Sequence, residues 1–310
     1  MFTISRALSQ KLIGKYIFSP SVNEKSRYFK SGGFPGQSLL SIPHKVISVQ
    51  SRGKKIIFTL KISSETEFSR ETKQSDQKGE SNEIKGYTYM VSSLGMEGHW
   101  QYKEGKHSGI RFDIGTVQEN KNSASSSSQT SSNNSPSYKT EHYLYYDDSR
   151  HFGTLDIVKT SEELRELFKN VGSDLMRDFI SIEQYYEVLT RPRLKNKTIM
   201  SFLLEQKYFA GVGNYLRSEI LYACKLSPKR TLGSLVPTDI GNLYRNTLTI
   251  LGESLKCGGL TIATYWDPDG RVGTFKVKVY GKDKDPNGNT VEQLKDEHGR
   301  TVHWVPQIQV

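Results

Sequence analysis

The chain has 310 residues, with 43 Lys+Arg against 33 Asp+Glu for a net charge of +10, and a mean hydropathy of -0.58. That length accommodates two domains of ordinary size, and the excess of cations favours an anionic partner, nucleic acid before a membrane surface. Two cysteines, Cys224 and Cys257, exclude a disulfide framework and a four-cysteine zinc site. No apolar run approaches the ~20 residues that span a bilayer, and Arg6, Gln10 and Lys11 break a signal-peptide core, so a reduced, soluble, intracellular protein is expected.

In chain order, residues 4–13 have helical spacing. Six short segments follow: HKVISVQ, KKIIFTLKI, YTYMVSSL, SGIRFDI, HYLYYDD and GTLDIV. They are β-branched or aromatic and bounded by turn residues, which predicts an antiparallel β-sandwich. Two polar stretches interrupt them, at about 63–81 and 119–140, the second containing SSASSSSQTSSNNSPS. Neither can bury enough apolar surface to offset chain entropy, so both are expected to be disordered insertions.

The pattern changes near residue 160. Thr160 with Glu163, and Ser181 with Gln184, have the spacing of capping boxes opening two helices. Further helices are expected over 198–207, 214–225 and 239–255, the second burying Leu216, Ile220, Ala223 and Cys224 on one face. VGTFKVKVY and TVHWVPQIQ alternate like strands around a Gly/Asn/Asp-rich turn, predicting a β-hairpin from about 272. The expected fold class is α+β: a β-sandwich domain over 1–160, then a helical domain over 161–310 that ends in the hairpin.

Residues 206–220 read QKYFAGVGNYLRSEI, a helix, a glycine turn and a second helix opening at Asn214. Gly211 and Gly213 let backbone approach a ligand closely. The free amides and positive end of the second helix would hold a phosphate. Asn214 would cap that helix or donate to the same phosphate, and Lys207 and Arg217 add charge. An ordinary helical hairpin with a glycine turn satisfies the same pattern.

This run resembles the helix-two-turns-helix motif of the formamidopyrimidine-DNA glycosylase and endonuclease VIII family, and GVGNYLRSEILY looks like its endonuclease VIII-like branch. Further islands match in order. SRGKKIIF resembles the segment whose lysine, here Lys54, contacts a phosphate near the lesion. LGMEGHW resembles a strand turn whose methionine, here Met96, fills the void left by the extruded base. DSRHFG resembles a loop whose Arg150 would face the orphaned base while Phe152 wedges the stack. Extruding a base costs a few kcal/mol, and apolar wedges with a hydrogen-bonding arginine suit that task. VYGK at 279–282 and HGRT at 298–301 resemble the flanks of the family's DNA-binding finger, with Arg300 gripping phosphates. The resemblance also places Lys197 beside Lys54, Asn214 and Arg300 as a phosphate contact.

Many members hold zinc with four cysteines in that finger. Here Pro286, Asn287, Val305 and Pro306 occupy the region, so a zincless finger, with no metal or cofactor, is expected. The resemblance implies a monomer acting at damaged DNA, duplex or single-stranded. It would excise oxidised pyrimidines by base flipping and nick the abasic site by β- and δ-elimination.

Family members begin with a proline whose amine attacks C1′, followed by a glutamate that protonates the sugar. This chain begins MFTISR, and its ISRALSQKLIGKYI resembles the family's first helix, so that pair has no counterpart. Two readings follow: a functional start upstream of Met1, or a catalytically inactive DNA-damage-binding relative. Lys54 is then the amine named for catalysis, since lysine forms Schiff bases. A third reading is an RNA-binding protein that uses the helix-two-turns-helix alone.

Overall fold

The computed structural model describes residues 1–18, 20–62, 86–95, 97–118, 137–260 and 266–310. The chain opens with α1 (Phe2–Leu12). It continues through β1 (Tyr16–Ile17), β2 (Ser21–Val22), β3 (His44–Arg52), β4 (Lys55–Ile62), β5 (Tyr87–Ser93), β6 (His99–Gln101), β7 (Ser108–Gln118), β8 (Ser137–Asp147) and β9 (Thr154–Val158). These strands form one nine-stranded sheet in the order β6-β8-β7-β1-β3-β4-β5-β9, with β2 on β7. Every pairing in it is antiparallel.

The sheet closes on itself as a sandwich. β6 and β4 stand five positions apart in the order, roughly 24 Å along a flat sheet. Yet the Trp100 ring meets Phe58 at 5.4 Å, its Nε1 donates to Ser92 Oγ at 3.0 Å, and Tyr146 Oη donates to the Ser93 carbonyl at 2.6 Å. Alternation along β4 turns Ile56, Phe58 and Leu60 into this core. Ile4, Leu8 and Leu12, four apart on α1, cover it from the helix side.

The second half contains α2 (Ser161–Phe168), β10 (Ser173–Asp174), α3 (Ile182–Leu189), α4 (Ile199–Phe202), β11 (Phe209–Ala210), α5 (Asn214–Ala223), α6 (Pro237–Lys256), β12 (Glu292–Lys295) and β13 (Thr301–Trp304). Both capping boxes form, at Thr160 and at Ser181. Leu216, Ile220 and Cys224 join Leu243, Ile250 and Leu251 in a separate core, with Ala223 at its margin.

Three expectations change. Residues 63–81 and 119–136 lie outside the described residues, but Ser137 to Thr140 pair with β7 as the start of β8, so the second insertion is shorter at that end. The helix expected over 198–207 stops at Phe202, because the Gln206 carbonyl accepts from Gly172 at 2.7 Å beside the β10–β11 pair. Residues 272–280 make no strand of the hairpin. Their backbone is captured instead by the buried Glu219 carboxylate, which accepts from the amides of Lys278, Val279 and Tyr280 at 2.8, 3.0 and 2.9 Å. The hairpin is β12 against β13.

Candidate nucleic-acid interface

The β3–β4 hairpin presents Lys54. Gly53 takes the first of its two turn positions at φ +56, where a left-handed residue is needed. Its amide donates to Asp174 Oδ2 at 2.8 Å, and a Cβ there would stand 3.2 Å from Ala210 Cβ. The hairpin tip is therefore pressed onto the strand pair that precedes the glycine turn. Arg52 with Asp178 at 3.1 Å and Arg177 with Gln50 at 3.3 Å hold the same junction.

The glycine turn is braced from within by Gln206. Its Oε1 accepts from the Gly211 amide at 3.1 Å, and its Nε2 donates to the Leu204 and Val212 carbonyls at 3.1 and 2.9 Å. Gly211 has φ +114, and open space lies beside both Gly211 and Gly213. Packing therefore leaves this face of the turn clear for a ligand. Asn214 does not cap α5, whose N-cap is Gly213 with no side-chain bond. Instead Asn214 Nδ2 donates to the Thr301 carbonyl at 2.9 Å, and its Oδ1 accepts from Arg217 at 2.6 Å.

Arg217 is fully buried. It donates to the Met200 carbonyl at 3.1 Å, the Arg300 carbonyl at 3.3 Å and Asp296 Oδ2 at 2.8 Å. Arg300 Nε donates to the same Asp296 oxygen at 3.2 Å. The turn between β12 and β13 is thereby docked on the start of α5. Lys54 is exposed at the hairpin tip, yet desolvation by the surrounding protein, and then the charges of Arg300 and Arg217, lower its pKa from the ordinary 10.5. The α-amine of Met1 is drawn to about 6 by burial, with Lys54 adding to the fall and Asp174 opposing it. Asn214, Arg217 and the Arg300 backbone are thus joined by hydrogen bonds, and Lys54 lies within reach of the charges of Arg300 and Arg217. Lys197 is engaged elsewhere, in an ion pair with Glu205, which also holds Lys207 at 2.7 Å.

A second cluster forms at the loops after β5 and β8. Met96 lies outside the described residues. Its neighbour Glu97 accepts from Ser149 Oγ at 3.1 Å and from Arg150 at 3.5 Å. Gly95, at φ +55, packs so closely that a Cβ would stand 2.7 Å from the Phe152 carbonyl carbon. Arg27 donates to the carbonyls of His151 and Gly153 at 3.0 and 3.2 Å, and Asp148 accepts from the Gly153 amide at 2.8 Å. The loop is held from beneath while the Phe152 side chain stands outward, 55% exposed.

Asp174, Gln206, Glu219, Glu97, Arg27 and Asp296 were not singled out from the sequence. One signal was present: Asp267, Asp285 and Asp296 each precede a glycine by three positions. Each tightens a like turn, with the aspartate Oδ1 accepting from the amides two and four residues on. Among the described residues no group of three or more His, Cys, Asp or Glu could hold a metal, and no helix is long and apolar enough to cross a membrane.

Residues 171–265 match the formamidopyrimidine-DNA glycosylase H2TH domain. The formamidopyrimidine-DNA glycosylase of Bacillus anthracis is 32% identical over 171 residues, covering 54% of this chain and 61% of that protein. The chain thus spans about three fifths of the length of such relatives. A complex of the Lactococcus lactis Fpg with abasic-site DNA superposes with TM-score 0.71 at 22% identity, over 99% of this chain and 97% of that one. The MutM (Fpg) protein of Thermus thermophilus gives 0.73 at 23%, over 99% and 96%. At these identities the superpositions establish a shared fold.

Proposed function

We propose that the chain is a member of the formamidopyrimidine-DNA glycosylase and endonuclease VIII family and that it acts in base-excision repair as a DNA glycosylase with abasic-site lyase activity. The carrying observation is the docking of Asn214, Arg217 and the Arg300 turn at the start of α5, with Lys54 of the sandwich hairpin within reach of the charges of Arg217 and Arg300. Damaged DNA would lie between a sandwich domain over 1–160 and a helical domain over 161–310. Phosphates would rest on Lys54, Arg300 and the amides at the start of α5. Lys197 would reach a neighbouring phosphate by exchanging Glu205 for it. Met96, Arg150 and Phe152 would occupy the gap left by the extruded nucleotide. Oxidised pyrimidines are the substrate class proposed, from the likeness of GVGNYLRSEILY to the endonuclease VIII-like branch. The protein would act as a monomer, inside the cell.

For the lyase step, an unprotonated amine adds to the C1′ aldehyde of the abasic site and water leaves, giving an iminium. Loss of a C2′ proton then expels the 3′ phosphate, and a second elimination expels the 5′ phosphate. Lys54, whose pKa is lowered, is the side-chain amine proposed for this step, with the Met1 α-amine, drawn to about 6, as its rival.

Borohydride trapping on duplex carrying an abasic site, with mapping of the modified peptide, tests this reading. An adduct on Lys54, lost in Lys54→Ala, supports it. An adduct on the Met1 amine would keep the lyase activity but remove the role given to Lys54. Lesion-selective binding without any adduct would identify a DNA-damage-binding relative. Preference for structured RNA over lesion duplex would remove both readings.

A further inference from the structure

Asp296 occupies the point where the finger turn meets α5. Its Oδ1 accepts from the amides of His298 and Arg300, both at 2.9 Å. Its Oδ2 accepts from Arg217 Nη1 at 2.8 Å and from Arg300 Nε at 3.2 Å. An ionised carboxylate offers about four acceptor sites, and this set fills them. The Asp296 and Arg217 side chains are both 0% exposed, whereas that of Arg300 keeps 40%. Burial pushes the Asp296 carboxyl up, but the two amides and Arg217 outweigh it, and the net direction is down. The anion is held charged under the finger.

Arg300 therefore has an inner and an outer end. Its Nε is committed to Asp296 and its carbonyl to Arg217. Its two terminal nitrogens have no protein partner among the described residues. We propose that Asp296, itself locked by the buried Arg217, is the positioning residue for Arg300: it fixes the guanidinium through Nε so that the terminal pair faces a duplex phosphate. A carboxylate beside a phosphate site opposes DNA binding by charge alone, so a positioning role and a purely electrostatic one differ in sign.

The molecule supplies its own control. Asp285 accepts from the Asn287 and Asn289 amides at 2.9 and 2.8 Å in the same kind of turn. Its second oxygen goes to Asn289 Nδ2 and Tyr222 Oη, at 2.9 and 3.0 Å, and holds no arginine.

The proposal rests on the DNA-binding reading, and a double-mutant cycle separates the two. Affinity for duplex carrying a tetrahydrofuran abasic analogue is measured at fixed salt for the parent, Asp296→Asn, Arg300→Ala and the double variant, with Asp285→Asn alongside. Asp296→Asn should weaken binding about tenfold in the parent and by less than about twofold in the Arg300→Ala background. Asp285→Asn should stay within about twofold in both. Arg300→Lys keeps the charge but cannot give Asp296 an Nε–H while offering a fork, and leaves the Arg217–Asp296 pair intact. It should lose as much affinity as Arg300→Ala, which keeps the test decisive even if Asp296→Asn unfolds. Equal losses in both backgrounds, tighter binding by Asp296→Asn, or parental binding by Arg300→Lys would overturn the positioning role while the DNA reading stands. An Arg300→Ala variant that binds like the parent would remove the phosphate contact itself, and the proposal with it.

Discussion

The guanidinium carbon of Arg150 lies 5.3 Å from the centroid of the Phe152 ring. With that cation beside it Phe152 is still more than half exposed, on a loop whose backbone is tied down by Arg27 and Asp148. An exposed phenylalanine contributes little to folding, so Phe152→Ala should change stability by less than about 0.5 kcal/mol. If the ring wedges a base stack, the same variant should weaken binding to abasic-site duplex by about 1–2 kcal/mol. Thermal melting and fluorescence anisotropy read the two effects separately. A large fall in melting temperature would make Phe152 a packing residue instead.

Arg300 and Asn214 should differ in kind. Arg300→Ala removes a charge with an exposed end, so the slope of log affinity against log salt should fall by about 1. Asn214 Nδ2 donates to the Thr301 carbonyl, and its Oδ1 accepts from Arg217. Asn214→Ala should therefore weaken binding by loosening the finger while leaving the salt slope unchanged. A slope reduced equally in both variants would mean that Asn214 reaches a phosphate directly.

Gly95 joins the two wedge loops by contact. Any side chain there combines a left-handed backbone at φ +55 with a Cβ 2.7 Å from the backbone of Phe152. Gly95→Ala should destabilise the protein by about 1–3 kcal/mol and reduce lesion binding further, as the Phe152 loop is displaced. Chemical denaturation with anisotropy checks both. Unchanged values would show that the loop relaxes freely.

Acid should weaken the fold through two buried histidines. Burial lowers the pKa of His44 below the ordinary 6.5, against a smaller raising effect of the Ile42 carbonyl. Burial and then the Arg217 charge lower that of His303. The unfolded chain binds these protons more readily, so their contribution is fully present above about pH 6.5 and is lost as pH falls through the depressed folded values. Melting temperature should be flat from about pH 7 to 8 and decline below about 6.5, with a shallower decline in His303→Gln. An identical acid slope in that variant would place the titration elsewhere.

Much of the sandwich was legible because burial imposes a period of two. KKIIFTLKI announces Ile56, Phe58 and Leu60, and the structure buries all three. Both capping boxes were legible because their two bonds depend on residues three apart. Strands of two or three residues, such as β1, β2 and β6, carry too few side chains to show a period. The alternation of VGTFKVKVY misled, since Glu219, some 60 positions earlier in the chain, claims amides that local reasoning assigns to a partner strand. Lys54 and Arg300 were nameable from local motifs, but the bearing of the Arg300 charge on Lys54 was not, because it depends on Asp174 and Asp296 holding two distant turns in place.

The finger is drawn together by carboxylates that grip their own backbone within five residues, twice, at Asp285 and Asp296. Beyond Cys257 the sequence contains no thiol. A peroxide that would convert a sulfur-held clasp to disulfide or sulfinate meets only oxygen and nitrogen here. The part of the molecule proposed to grip lesion-bearing DNA would thus keep its shape under the chemistry that oxidises bases.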